Sequence, residues 1–230
     1  MKLYKIYSRA IGLLFALSLL CVGCENEDIL DINDLEISPS NPESVIIVEP
    51  DDGITSVNAL TRAINENGDA TYILRRDGVY YMEGKNVFKH NVVIKAENGS
   101  GKMPIIQPIC DAQGALNADM IRLEGSATFE NIYIIGKDAA TGNLMQRLFR
   151  IDESNVRLKF DHCFIDHCRN FCIRTDNVNN KIYLNNSTIR NLALTSDPAN
   201  GRLIDSRGNE QDSIAVSYTH LRAHETLANL

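Results

Sequence analysis

The chain lacks tryptophan, an excess of basic residues and any apolar run long enough to cross a membrane. Without tryptophan among 230 residues, an aromatic stacking platform would have to be built from tyrosine and phenylalanine. The formal net charge of −7 at pH 7 argues against nucleic acid as a partner, because binding phosphates requires a basic surface. The apolar run from Ile11 to Leu20 is too short for a permanent transmembrane helix.

The segments after residue 70 also lack any helical pattern of useful length. Short alternating runs separated by glycines and an Asn-Gly turn signal are typical of strands, and the absence of intervening helices excludes a βαβ fold. The sequence therefore favours a parallel β-helix. An amphipathic helix over Thr55 to Asn67 precedes these strands and is expected to cap the first coil. The predicted strands are Thr71–Leu74, Val79–Met82, Val92–Ala96 and Ile105–Pro108.

Three later segments repeat one charge pattern, which is the most informative feature of the sequence. Each has an apolar residue, an arginine, an apolar residue or threonine, and an acid. A unit that recurs about every two dozen residues, with strand alternation inside it, predicts a solenoid of stacked coils. A fourth copy begins near Arg202 to Asp205, out of step by about one residue. The copies are Ile121-Arg122-Leu123-Glu124, Phe149-Arg150-Ile151-Asp152 and Ile173-Arg174-Thr175-Asp176.

A second repeated pattern follows each of these segments. It comprises an apolar residue, then asparagine or histidine two places later, then isoleucine three places after that. Stacked asparagines are typical of coil corners, where the amide is expected to satisfy backbone groups of the turn. We therefore predict a structural corner ladder of Asn131, His162 and Asn186. The full copies are Phe129-x-Asn131-x-x-Ile134, Phe160-x-His162-x-x-Ile165 and Leu184-x-Asn186-x-x-Ile189.

The first coils resemble the opening of a known family. Thr61-Arg-Ala-Ile64, Ala70-Thr-Tyr-Ile-Leu74, Asp77-Gly-Val-Tyr80 and Asn91-Val-Val-Ile-Lys95 resemble the cap helix and first strands of pectin-lyase-like right-handed β-helix proteins. More narrowly, the chain resembles Bacteroidetes surface lipoproteins with such domains, which are often encoded near polysaccharide-degradation genes. The resemblance implies an all-β, right-handed parallel β-helix. It leaves the activity open, because the superfamily includes lyases, hydrolases, epimerases and binding modules.

The N-terminus has the features of an export signal. Three basic residues precede the apolar run, and Cys21-Val22-Gly23-Cys24 resembles the lipobox of bacterial lipoproteins, which implies lipidation of Cys24. The acidic cluster Glu25-Asn26-Glu27-Asp28 resembles a surface-export signal of Bacteroidetes lipoproteins. An ordinary secretory signal is the alternative. The expected location is therefore the outer membrane, lipid-anchored and facing outward.

The C-terminal segment Ser217 to Thr226 resembles a translated sequencing adapter, and the alternative is a genuine polar tail. We therefore expect the chain to be cut inside its repeat. The predicted division is a signal peptide at 1–23, a flexible tether at 24–50, an incomplete β-helix domain at 51–215 and a non-native tail at 216–230.

The repeated arginines and acids are the candidate functional face. Strand alternation turns them outward, where stacked coils lie about 4.8 Å apart. One hypothesis is a groove in which the guanidinium groups grip uronate carboxylates of an acidic polysaccharide. The acids would hold Ca²⁺ if the protein were a polysaccharide lyase, with Arg150 or Arg174 as the base. The favoured alternative is a structural network of interleaved charges. The residues concerned are Arg122, Arg150, Arg174, Glu124, Asp152 and Asp176.

Two further clusters have weaker patterns. His162, Cys163, His167, Cys168 and Cys172 include the soft ligands that zinc prefers, but their places in the repeat favour corner and interior positions, so we predict no metal site. Asp161, Asp166 and His167 would suit the paired acids of a glycoside hydrolase. No second motif supports that chemistry, and a solvated loop is the favoured prediction for these three residues.

Taken together, these patterns predict a monomeric surface lipoprotein whose β-helix binds an extracellular polysaccharide. The alternatives are a Ca²⁺-assisted lyase acting on a uronate-containing glycan, and a structural scaffold with no role in glycan use. Ca²⁺ is the only cofactor considered, and only for the lyase.

Overall fold

The computed structural model describes residues 44–194, 196–217 and 220–222. The predicted signal peptide, the predicted lipidation residue Cys24 and the predicted tether up to residue 43 lie outside the described residues. So do residues 218, 219 and 223–230 of the predicted tail. No helix within the described ranges is long and apolar enough to cross a membrane.

The described residues form a parallel β-solenoid of about six turns, which confirms the predicted fold class. Successive coils add strands to three sheets, and neighbouring strands in every sheet are parallel. Sheet A contains β1 (Val45–Val48), β2 (Ala70–Leu74), β5 (Val92–Ala96), β8 (Ala127–Glu130), β11 (Arg157–Asp161), β14 (Lys181–Asn185) and β17 (Ser213–Ser217). Sheet B contains β3 (Val79–Glu83), β6 (Ile105–Ile109), β9 (Tyr133–Ile135), β12 (Phe164–Cys168), β15 (Thr188–Leu192) and β18 (His220–Arg222). Sheet C contains β4 (Val87–Phe88), β7 (Asp119–Leu123), β10 (Arg147–Ile151), β13 (Phe171–Thr175) and β16 (Arg202–Asp205).

The solenoid extends past both predicted boundaries. Strand β1 pairs with β2 although its residues fall in the predicted tether. All four of its residues are apolar, and strand alternation turns Ile46 and Val48 towards the core. At the other end, β17 and β18 pair with β14 and β15, although they reach into the predicted tail. Residues 44–50 and the described part of 216–222 therefore belong to the coils.

The strand pairing confirms the register inferred from the repeats. Phe149 aligns with Ile121 on one side and Ile173 on the other. In the second pattern, Phe160 aligns with Phe129 and Leu184. The fourth copy is out of step as predicted, so Asp205 aligns with Arg174 and occupies the arginine position.

The interior is a column of stacked apolar side chains. The rings of Phe129 and Phe160 on sheet A stack with centroids 5.3 Å apart, and the ring of Phe149 from sheet C meets them edge-on at 5.4 and 5.1 Å. All three rings are fully buried. Burying each one contributes about 1.5–3 kcal/mol, so this cluster ties sheets A and C together where the repeats are most regular.

The corners between sheets A and B explain the repeated asparagines by backbone conformation. Asn131, His162 and Asn186 have φ values of 57°, 51° and 48°, the left-handed region that asparagine and histidine adopt more readily than most residues. Their backbone N–H groups donate to the next coil, as Asn131 does to the Asp161 carbonyl at 3.0 Å. The amide of Asn186 instead donates to the Asp161 carboxylate at 3.1 Å. Conformation, rather than bonding by the amide to the turn backbone, accounts for these residues.

The capping helix is present but begins later than the periodicity predicted. Helix α1 spans Ala59–Asn67 and buries Leu60 and Ile64 against the first strands. The Asp52 carboxylate accepts hydrogen bonds from the N–H groups of residues 54, 55 and 56, which holds this stretch in a tight turn. Asn58, with φ of 60°, then separates the turn from the helix.

Candidate functional site

The candidate arginine face lies on sheet C and forms a closed network of charges. Asp152 pairs with Arg122 and accepts a hydrogen bond of 2.8 Å from Arg150 Nε. One coil later, Asp176 lies 3.0 Å from Arg150 Nη2 and 3.4 Å from Arg174 Nη2. We call these five residues the arginine ladder. Each carboxylate joins two arginines on neighbouring coils, so the ladder links the coils along the solenoid axis.

Two further charges lie at the ladder, one acidic and one basic. Glu124 is exposed and attracts Arg122 electrostatically, while Arg207 lies 3.6 Å from Asp176. The hydrogen bond that Arg122 donates to Asp152 raises the pKa of Arg122 despite partial burial. A catalytic base needs the opposite effect, because it must release its proton before it can accept one. The network therefore stabilises the charged form of Arg122.

The histidines and cysteines considered for zinc lie on opposite sides of the coil wall. Cys163, Cys168 and Cys172 are buried, whereas His162 is exposed and lies 2.8 Å from Asp161. Burial raises the pKa of Cys163 and of Cys168 to about 12 and raises that of Cys172 well above its usual value. Thiols of this kind remain protonated and pack as small apolar groups. Among the described residues, no group of three or more His, Cys, Asp or Glu side chains could hold a metal.

The prediction of a solvated loop is wrong for Asp166. Its side chain, on strand β12, is only 1% exposed. Tyr133 donates to one carboxylate oxygen at 2.9 Å and Asn191 donates to the other at 2.7 Å. Arg190 contributes two nitrogens, at 2.9 and 2.8 Å. Burial alone would raise the pKa of Asp166, but the hydrogen bonds from Arg190, Asn191 and Tyr133 outweigh it and lower the pKa.

Asp161 lies at a corner between sheets A and B, whereas Asp166 lies within strand β12, and the two acids have different partners. It ends strand β11, where it bonds to Asn186 and lies beside His162. His167 lies at the end of β12, with Nδ1 2.8 Å from Asp166. Asp166 and the three side chains that bond to it, Tyr133, Arg190 and Asn191, form a cluster that we call the node, centred on the buried carboxylate. Asp161 instead lies beside the corner ladder.

An aromatic and cationic patch on sheet B surrounds this node. Phe164 is 37% exposed although it lies in a strand. Its ring centroid lies 6.1 Å from that of Tyr133 at 73°, and the Arg190 guanidinium carbon lies 5.7 Å from its centre. We call Tyr133, Phe164 and Arg190 the sheet B patch. The three come from successive coils, so the patch runs along the solenoid axis.

The sequence patterns did not identify this patch. The repeats compared only the inward isoleucines of sheet B, Ile134, Ile165 and Ile189, and not the residues beside them. A usable signal was present: Phe164 lies between two inward residues, Cys163 and Ile165, so alternation points a large aromatic ring outward. Its approach to Arg190 depends on stacking between coils.

No known protein-family profile matches the chain, and no curated protein is similar to it. The fold itself defines the class, an all-β parallel β-solenoid that has one short α-helix within the described ranges. This architecture is compatible with a pectin-lyase-like β-helix.

Proposed function

We propose that the protein is a non-catalytic binder of an extracellular polysaccharide, tethered at the bacterial surface by a lipid on Cys24. The observation that carries the proposal is the sheet B patch. It combines a partly exposed aromatic ring with a hydroxyl and a guanidinium group on adjacent coils. A flat apolar ring beside fixed hydrogen-bonding groups matches the apolar face and hydroxyl groups of a sugar.

The buried node supports the proposal by holding the polar groups of the patch in place. Both Tyr133 and Arg190 bond to Asp166, so neither side chain has to be ordered when a ligand arrives. Such preorganisation lowers the entropic cost of binding. The coil repeat of about 4.8 Å also suits a polymer, because a chain of sugars would lie along successive coils.

The arginine ladder offers weaker support for binding. Arg150 already bonds to Asp152 and Asp176, so an incoming uronate would compete with carboxylates that are held in place. The exchange would replace one ion pair with another and gain little. A neutral sugar on the sheet B patch can stack on the partly exposed Phe164 ring, which has no bonded carboxylate to displace.

Affinity electrophoresis in gels that contain neutral or acidic polysaccharides tests this proposal. At least one polysaccharide should retard the wild-type protein, and Phe164→Ala should weaken that retardation about threefold to tenfold. Arg150→Ala and Arg174→Ala serve as matched surface controls and should bind like wild type. Loss of binding in these controls, with Phe164→Ala unaffected, would place the ligand on the ladder. Failure of every polysaccharide to retard the protein would overturn the proposal.

Incubation with uronate-containing polysaccharides tests the non-catalytic part. A lyase produces unsaturated uronates that absorb in the ultraviolet, so a steady rise in absorbance that requires Ca²⁺ would contradict a purely binding role. We expect no rise with the full-length protein.

Lipid labelling tests the location. Wild-type cells grown with a clickable fatty acid should yield labelled protein in the outer membrane that external protease digests. Cys24→Ser should yield unlabelled protein, and equal labelling of both proteins would rule out Cys24 as the anchor.

A further inference from the structure

The connections between sheets B and C differ in length from coil to coil. Three of them are loops of many residues, at 110–118, 136–146 and 193–201, the last with residue 195 undescribed. Between the second and third of these loops, β12 and β13 are joined by only Arg169 and Asn170. A short turn flanked by longer loops leaves a recess, because nothing on the short coil fills the space that the loops enclose.

A cavity of about 490 Å³ lies at this corner. We call it the corner notch. Its volume falls in the range of about 300–1,000 Å³ that is typical of small-ligand sites. The long loops supply apolar side chains and one amide, and the short turn supplies the charged group. The lining residues that matter are Leu116, Gly142, Asn143, Leu144, Arg169 and Leu194.

Arg169 differs from the ladder arginines because its charge is unsatisfied. Its side chain is exposed and has no hydrogen-bond or ion-pair partner within the described part of the chain, although its backbone N–H donates to the Met145 carbonyl. A second cation lies close by: a Cβ atom added to Gly142 would lie 3.7 Å from Lys137 Cε. Lys137 is exposed and likewise has no carboxylate partner among the described residues.

The acids nearest in sequence bond to other groups: Asp166, which precedes Arg169, pairs with Arg190, and Asp138 follows Lys137. The side chain of Asp138 is 2% exposed, and its carboxylate accepts hydrogen bonds from the backbone and hydroxyl of Thr141 within the same loop. The one acid in the 110–118 loop, Asp111, accepts hydrogen bonds from the backbone N–H groups of residues 113 and 115 of its own loop. The notch thus combines the unpaired Arg169 with apolar walls, on a protein whose net charge is −7. That combination selects a negatively charged group carried on a partly apolar frame.

We infer that the corner notch binds an oxyanion, either a carboxylate or a sulfate ester, on a sugar unit. The Arg169 guanidinium would form the ion pair, the Asn143 amide would donate to the anion or a neighbouring hydroxyl, and the leucines would pack against the C–H face of the ring. The choice of a sugar as the carrier rests on the proposed polysaccharide binding. The anion chemistry rests on the notch alone.

An NMR titration with three monosaccharides tests the inference without requiring a polymer. Sodium glucuronate and glucose 6-sulfate supply the two anions, and glucose is the neutral control. Saturable shifts of the Arg169 Nε–H and Asn143 amide signals are expected with one or both anions and not with glucose. Comparison of the two anions distinguishes a carboxylate site from a sulfate site. Shifts that are absent with both anions, or equal with glucose, would overturn the inference.

Charge-matched variants show whether Arg169 forms the ion pair. Arg169→Gln should weaken anion binding about threefold to fivefold, as expected for an exposed ion pair. Lys89→Gln removes the same charge from an exposed position away from the notch lining and should bind like wild type. Equal weakening by both variants would indicate a general charge effect and contradict a specific site.

The failures of the two proposals can be distinguished. If no polysaccharide is retained but the notch signals still respond to an anion, the proposed function fails and the oxyanion site stands. If Phe164→Ala abolishes polysaccharide retention while anions leave the notch signals unchanged, the sheet B patch stands and the notch inference fails.

Discussion

Arg150 on the ladder and Arg169 at the corner notch belong to neighbouring coils, yet only Arg150 is paired with carboxylates. Arg150 lies in a strand, where the register places carboxylates beside it on its own coil and on the next. Arg169 lies in a two-residue turn between longer loops and has no described partner. On the ladder, arginines and acids recur in register, so each carboxylate meets guanidinium groups from two coils. The two-residue turn that carries Arg169 is not repeated on the flanking coils, which leaves its charge free for a ligand.

The same contrast predicts how stability and binding are divided over the molecule. Residues in register should contribute mainly to the free energy of unfolding, and residues at the notch should contribute mainly to binding. Four substitutions test this division, in order of decreasing expected effect on stability.

Phe149→Ala should have the largest effect, because it empties a fully buried site directly behind the ladder. Loss of the ring should lower the free energy of unfolding by about 3–5 kcal/mol. Leu144→Ala at the partly exposed notch is the matched control and should cost about 1 kcal/mol or less. Chemical denaturation measures both. Equal losses of unfolding free energy in the two variants would show that the notch is packed as tightly as the core, and would contradict the division between stability and binding.

Asp166→Asn should destabilise the protein by about 2 kcal/mol near neutral pH, because it weakens charge-assisted bonds to Arg190. The folded pKa of Asp166 is lowered, so its contribution is present above the unfolded value of about 3.9 and is lost as pH falls through the folded pKa. The difference in free energy of unfolding between wild type and variant should therefore become smaller in acid. Chemical denaturation at several pH values measures this difference, with Asp161→Asn as the control. A difference that does not change with pH would contradict a stabilising role for the charged Asp166 carboxylate.

Arg150→Gln should lower stability by about 0.5–1 kcal/mol, since it removes two partly exposed ion pairs of the ladder. Added salt should reduce the difference from wild type, because screening weakens the pairs that the variant lacks. Thermal denaturation at low and high salt measures this. A variant as stable as wild type at low salt would show that the Arg150 ion pairs do not contribute to stability.

Arg169→Gln should change stability least, by no more than about 0.5 kcal/mol, because no described partner is lost. The same thermal denaturation measures it beside Arg150→Gln. A cost as large as that of Arg150→Gln would mean that Arg169 has a structural partner, and the notch would lose its distinction from the ladder.

The sequence predicted the repeated part of the fold well because parallel pairing stacks equivalent residues on one another. Aligning Phe149 with Ile121 and Ile173 required only the spacing of the pattern. The shift at Asp205 was visible for the same reason. The structural interpretation of the arginines also followed from the pattern, since alternating arginines and acids in register favour pairing.

The sequence predicted the irregular parts poorly. Asp166 was assigned to a solvated loop because its partners, Tyr133 and Arg190, lie on other coils and carry no shared motif. The helix start was misplaced because hydrophobic periodicity does not reveal that Asp52 binds the following backbone N–H groups. Both errors concern polar contacts between residues of different type, which repetition does not indicate.

By itself, the sequence determined how the chain coils: alternation chooses which residues face inward, and the repeat chooses which residues lie above one another. Only the tertiary structure decided which outward charges are satisfied. Arg150 and Arg169 are the same residue type in one chain, and their difference arises from the neighbouring coils. A strand brings a carboxylate to one guanidinium group, whereas the other lies in a two-residue turn where no described carboxylate pairs with it.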